Sequence, residues 1–175
     1  ANEIQFRSLT VCLRSYGKPG IDKLVDRFDS TEKNSIRRVY KDMLIRIGPD
    51  VTPSIIEIMK GRTFFGNQEM FEILQRLENP RVARLMLPFL KDEELAEQVI
   101  EVVGQLGSGA INAVVDALTE MKGEKMDILV MERLIRILGY LKAPRVIEML
   151  ESLSRHQNDG IRDAVDRALF QIRGY

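Results

Sequence analysis

Residues 161–173 read IRDAVDRALFQIR and residues 36–48 read IRRVYKDMLIRIG. Laid over one another without gaps, the two place apolar or aromatic side chains at the same four offsets from the opening isoleucine. At offsets 4, 7, 8 and 11 they carry Val165, Ala168, Leu169 and Ile172, and Tyr40, Met43, Leu44 and Ile47. These offsets share one side of a helix with roughly 3.6 residues per turn, whereas a strand would alternate every second residue. Working outward, the register recurs over residues 5–17 (Leu9, Cys12, Leu13, Tyr16) and 66–78 (Met70, Ile73, Leu74, Leu77). It recurs again over 95–107 (Val99, Val102, Val103, Leu106) and 130–142 (Leu134, Ile137, Leu138, Leu141). The six copies close at residues 17, 48, 78, 107, 142 and 173, a period of 29 to 35. Self-similarity on that scale marks an array of supersecondary units that bury their apolar faces against their neighbours.

The intervening stretches predict shorter apolar helices over residues 21–28, 53–59, 80–90, 110–121 and 144–153. Several open near proline, where a missing N–H costs nothing, and Asn79 before Pro80 is placed as an N-cap. Ser35, Asn67, Asp127 and Asn158 are capping candidates for the second helices, and Asp92, Glu93 and Glu94 supply favourable charge at a helix N-terminus. Gly17, Gly48 and Gly107 stand where a left-handed residue closes a helix. Pro88 falls inside an apolar run and predicts a kink. The long fourth spacing puts extra residues at 119–127, with Lys122, Gly123, Glu124 and Lys125 expected to be solvated.

The run Asp159, Gly160, Ile161, Arg162, Ala164, Ala168, Leu169, Ile172 resembles the second helix of a HEAT-like repeat. Val99 with Gly104, Leu106 and Gly107, and the pair Leu138-Gly139, carry the same likeness. It spans essentially the whole chain and is nearest to the short bacterial HEAT-like repeats related to phycobilin lyase subunits. Glu78 and Lys142 depart from it by replacing the closing glycine, and the apolar-arginine pair survives only as Ile36-Arg37 and Ile161-Arg162. The resemblance implies an all-α fold, a right-handed α-α superhelix of about five helical hairpins plus an unpaired N-terminal helix. Residues 1–175 then form one armadillo-like domain, with second helices near 4–16, 35–47, 66–78, 95–107, 127–142 and 160–173. Apolar Phe6 and Val11 near one end, and Phe170 and Tyr175 near the other, lead us to expect a fragment of a longer protein.

Composition narrows the functional classes. Lys plus Arg and Asp plus Glu number 26 each, so no net field draws the protein to nucleic acid or an anionic membrane. The lone Cys12 excludes an internal disulfide, favours a reducing compartment, and reads as a small buried hydrophobe. No apolar run nears the roughly 18 residues of a membrane span, and no charged region leads into an apolar signal core, so a cytoplasmic protein is expected.

Function is then expected on the exposed side of the second helices, which line the concave surface in this architecture. Offsets 2, 6 and 10 supply Arg38, Asp42 and Arg46, then Gln68, Glu72 and Arg76, then Glu97, Glu101 and Gln105. Glu132, Arg136 and Tyr140, and Asp163, Arg167 and Gln171, follow in the last two copies. The sign changes along the groove, while a phosphate backbone needs a sustained positive track. A protein or peptide partner suits Arg38, Asp42, Arg46, Glu72, Arg76, Glu97, Glu101, Gln105, Arg136 and Tyr140 better. Phe64 and Phe65, in a polar connection, are candidate aromatic anchors.

Catalytic readings lack residues. His156 is the only histidine, so no two-histidine metal site or histidine-based triad can be assembled, and no phosphate-binding glycine loop is present. No cofactor, metal or catalytic residue is expected, and His156 is expected at the surface. The leading expectation is a non-catalytic interaction scaffold. The alternatives are an accessory or chaperone-like subunit of an enzyme, as the lyase-type resemblance implies, and then nucleic-acid binding. Open end faces leave an end-to-end homodimer open to it.

Overall fold

The structure, a computed structural model, describes residues 8, 11–12, 15–59, 68–77, 79–121 and 127–174. The chain divides into two compact units, Ala1–Leu77 and Glu78–Tyr175. The first holds helices α1 (Gly17–Ser30), α2 (Asn34–Ile47), α3 (Thr52–Met59) and α4 (Gln68–Arg76). The second holds α5 (Pro80–Met86), α6 (Ala96–Gln105), α7 (Ser108–Glu120), α8 (Ile128–Tyr140), α9 (Ile147–Leu153) and α10 (Asp159–Arg173). Short 3-10 turns at Pro49–Val51, Leu87–Lys91 and Pro144–Val146 adjoin α3, α5 and α9. The described residues contain helices and no strand.

Within each unit the helices form two layers. First helices pack side by side, α1 on α3 and α5 on α7; second helices do the same, α2 on α4, α6 on α8 and α8 on α10. The expected stripe is the core of both. At offsets 7 and 8, Met43, Leu44, Ile73, Leu74, Val102, Val103, Ile137, Leu138, Ala168 and Leu169 are all buried. Removing each large aliphatic side chain from water contributes about 1.5–3 kcal/mol, so this repeated stripe drives folding. Offset 11 is less covered: Ile47 is buried, but Leu77, Leu106, Leu141 and Ile172 are half-buried.

Caps and turns place the helices. Asn79 Oδ1 accepts from the Arg81 amide at 2.9 Å, Asp127 Oδ1 from Val130 at 3.2 Å, and Asn158 Oδ1 from Ile161 at 3.2 Å, all as expected. Asp92 Oδ1 takes the amides of Glu94 and Leu95 at 3.0 and 3.3 Å ahead of α6. The two surviving apolar-arginine pairs have a structural job. Arg37 Nη1 donates to the carbonyls of Phe28, Asp29 and Thr31 at 3.2, 3.2 and 3.0 Å, while its guanidinium stacks on the Phe28 ring and pairs with Glu69. Arg162 Nη1 likewise holds the carbonyls of His156 and Gln157 at 2.8 and 3.2 Å. Each arginine satisfies carbonyls left orphaned where the first helix turns into the second.

Four expectations need correction. Cys12 is exposed rather than buried, and Tyr16 is 75% exposed, because no described residue packs over the first copy's stripe; Leu9 and Leu13 lie outside the described residues. Ser35 does not cap α2: that helix starts at Asn34 behind an extended Lys33 and shows no side-chain cap. Pro88 ends α5 instead of kinking it. Lacking an N–H, it cannot continue the ladder, and the chain tightens into the 3-10 turn Leu87–Lys91. Lys142, where a closing glycine was missing, nevertheless takes the left-handed backbone at φ 46°, beside Gly17, Gly48 and Gly107 at 61°, 90° and 69°. Asn67, Glu78, Phe64, Phe65 and residues 122–126 lie outside the described residues.

Candidate functional site

In the second unit α6, α8 and α10 lie side by side, and their shared face carries the side chains expected at offsets 2, 6 and 10. Glu97, Glu101, Gln105, Tyr140, Asp163 and Arg167 are exposed there; Glu132, Arg136 and Gln171 are half-buried. Small residues bring these helices close. A Cβ built on Gly104 would stand 2.9 Å from Tyr140 Cβ, and one on Gly139 would stand 3.0 Å from the Ala168 backbone. Any larger side chain at either position pushes one second helix from the next. The two glycines therefore set the spacing of the face.

Arg136 lies at its centre. Its Nη1 and Nη2 donate to Glu97 Oε1 and Oε2 at 2.7 and 2.9 Å, a bidentate pair bridging α6 and α8. Hydrogen bonding from Arg136 holds the Glu97 carboxyl below its ordinary value, against a smaller desolvation effect. The same bond, helped by a hydrogen bond with Tyr140, raises the Arg136 guanidinium. The two charges are thus tied to each other across the helix pair. Glu101 Oε1 accepts from Gln105 Nε2 at 3.3 Å one turn further along α6.

Beside this cluster a cleft of about 470 Å³ runs between α8 and α10, lined by Glu132, Arg136, Tyr140, Asp163, Arg167 and Gln171. Tyr140 is 47% exposed at its edge. Such a cleft offers two carboxylates, two guanidinium groups, a phenol and an amide, which suits a polar chain with a ring or aliphatic group to lay against Tyr140. Among the described residues lining it, no nucleophile is paired with a base. Among the described residues no cluster of three or more His, Cys, Asp or Glu could hold a metal ion, and no helix is long and apolar enough to cross a membrane. His156 is half-buried and stays local, its Nδ1 accepting from the Asn158 amide at 3.1 Å.

The first unit carries the remaining expected residues on α2 and α4. Arg38, Asp42, Arg46, Glu72 and Arg76 are exposed, and Glu72 pairs with Lys41 of α2. One feature of this unit escaped the sequence reading. Between α1 and α2 an apolar groove of about 910 Å³ is lined by Leu24, Ile36, Val39 and Tyr40 with Lys23 and Arg27. Its signal was available in Ile36 and Val39, apolar residues lying outside the core stripe.

No family model and no curated protein sequence matches this chain. Among solved structures, it is similar to an engineered protein at 14% identity and a TM-score of 0.36, over 89% of this chain and 80% of that one. It is also similar to a designed armadillo repeat protein in complex with the peptide (KR)4, at 12% identity and a TM-score of 0.36, over 95% and 91% of the two chains.

Proposed function

We propose that this chain is a non-catalytic scaffold that binds another protein or a peptide along the shared face of its second helices. The observation that carries the reading is the cleft between α8 and α10, where exposed Tyr140 and Arg167 flank Glu132 and Asp163. Tyrosine and arginine are the side chains that most often anchor interfaces, and here they stand on a rigid, closely packed helix pair. Glu97, Glu101, Gln105 and Arg136 supply polar contacts around such an anchor on the second unit, and Arg38, Asp42, Arg46, Glu72 and Arg76 offer a further polar face on the first. Nucleic acid is disfavoured, since Glu97, Glu101, Glu132 and Asp163 interrupt any positive track along the second unit's face.

Selection of a random peptide display library against the immobilised chain tests this. The expected outcome is an enriched consensus whose synthetic peptide loses at least about tenfold in affinity on Tyr140→Ala or Arg167→Ala, with helical content unchanged. Failure to enrich any peptide, or a consensus indifferent to both substitutions and to paired reversal of Arg38 with Arg46 or of Glu97 with Glu101, rejects the proposal.

A further inference from the structure

The packing register of the second helices describes the kind of helix face that fits the groove between α1 and α2. Where α8 packs on α10, Gly139 at offset 9 of the earlier helix abuts Ala168, and Met131 and Ile135 at offsets 1 and 5 are buried with it. The later helix contributes offsets 0, 3 and 7, namely Ile161, Ala164 and Ala168, also buried. On α2 these receiving positions are Ile36, Val39 and Met43; Ile36 and Val39 are each 41% exposed, so no described residue covers them fully. At the other end of the described residues, α10 has its own offsets 1, 5 and 9. Arg162 is turned back onto the carbonyls of the preceding turn, Asp166 is exposed, and Phe170 is 63% exposed.

We propose that α10 of one copy docks into the α1–α2 groove of a second copy, repeating between chains the register that α8 and α10 use within one. Charge selects this occupant. Among the described residues Lys23 and Arg27 are the only charged ones lining the groove, and neither forms an ion pair. Asp166, one turn before Phe170, is likewise without an ion pair among them. Phe170 fills the apolar floor while Asp166 meets the basic rim. The contact is heterologous, since the groove of one copy receives the α10 of another.

Sedimentation velocity of the full chain over a concentration series tests this. The chain should gain mass with concentration, and Val39→Glu or Phe170→Glu should each weaken association at least about tenfold by placing a carboxylate on the apolar contact. An equimolar mixture of the two variants should then form a one-to-one complex, since one supplies an intact α10 and the other an intact groove. Arg27→Glu and Asp166→Arg, both at exposed sites, should behave alike, each weak alone and restored on mixing. A concentration-independent monomer overturns the proposal. So does loss of association with Val39→Glu while Phe170→Glu is unaffected, which points to another occupant of the groove, or failure of both mixtures to associate.

Discussion

Lys142 shows most simply how one residue can work against its own turn. It holds φ 46° where the copies closing at residues 17, 48 and 107 use glycine, and a left-handed backbone costs an L-residue about 1–2 kcal/mol. Lys142→Gly is expected to stabilise the protein by up to about 1 kcal/mol, read as a higher denaturation midpoint at unchanged slope. Thr52 is fully buried and its Oγ1 has no hydrogen-bond partner among the described residues, so Thr52→Val should be neutral or stabilising by up to about 1 kcal/mol in the same assay. The Glu97–Arg136 pair is pH-dependent. Because the folded Glu97 carboxyl titrates below its ordinary 4.5, its stabilisation is complete above that value and fades as pH falls through the lowered one. Solvent screens this exposed pair, so Arg136→Met should cost no more than about 1 kcal/mol at neutral pH. The gap between variant and parent should narrow in acid; a constant gap from neutral pH to below the carboxylate range would assign the loss to packing alone.

Helices are the scale at which the sequence speaks most clearly, because amphipathic period, caps and proline positions are local physics. The stripe of copies two to six, the caps at Asn79, Asp127 and Asn158, and the outward set at offsets 2, 6 and 10 could all be read without coordinates. What escaped depends on neighbours. Cys12 and Tyr16 have the right period but no described residue over them, and Pro88 could have bent its helix or ended it. The Glu97–Arg136 pairing joins residues 39 positions apart, and no single-helix pattern announces it. Glycines 104 and 139 appear in the sequence only as repeat-like small residues, whereas the structure makes them points of closest approach. Gly104→Ala is accordingly expected to destabilise by about 1–3 kcal/mol from overpacking, despite alanine's better helix propensity of about 1 kcal/mol. Chemical denaturation measures it; a stabilised variant would mean that α6 and α8 separate at little cost.

At the scale of the molecule, each unit buries its own apolar stripe, and within each unit second helices pack on second helices. Stability in such an arrangement is close to a sum of local and nearest-neighbour terms. The second unit contains three hairpins with its own buried set, from Val82 and Met86 through Leu138 to Val165. Residues 78–175 expressed alone should therefore remain helical and melt cooperatively by circular dichroism; a chain without a cooperative transition would deny the unit an independent core. The glycine seams between second helices have one more effect. They act as spacers of minimum thickness, so graded replacement by alanine, then serine, at 104 and 139 would fan α6, α8 and α10 apart in small steps. Because the two glycines abut Tyr140 and Gln171, the change would reach the cleft between α8 and α10 through those two side chains.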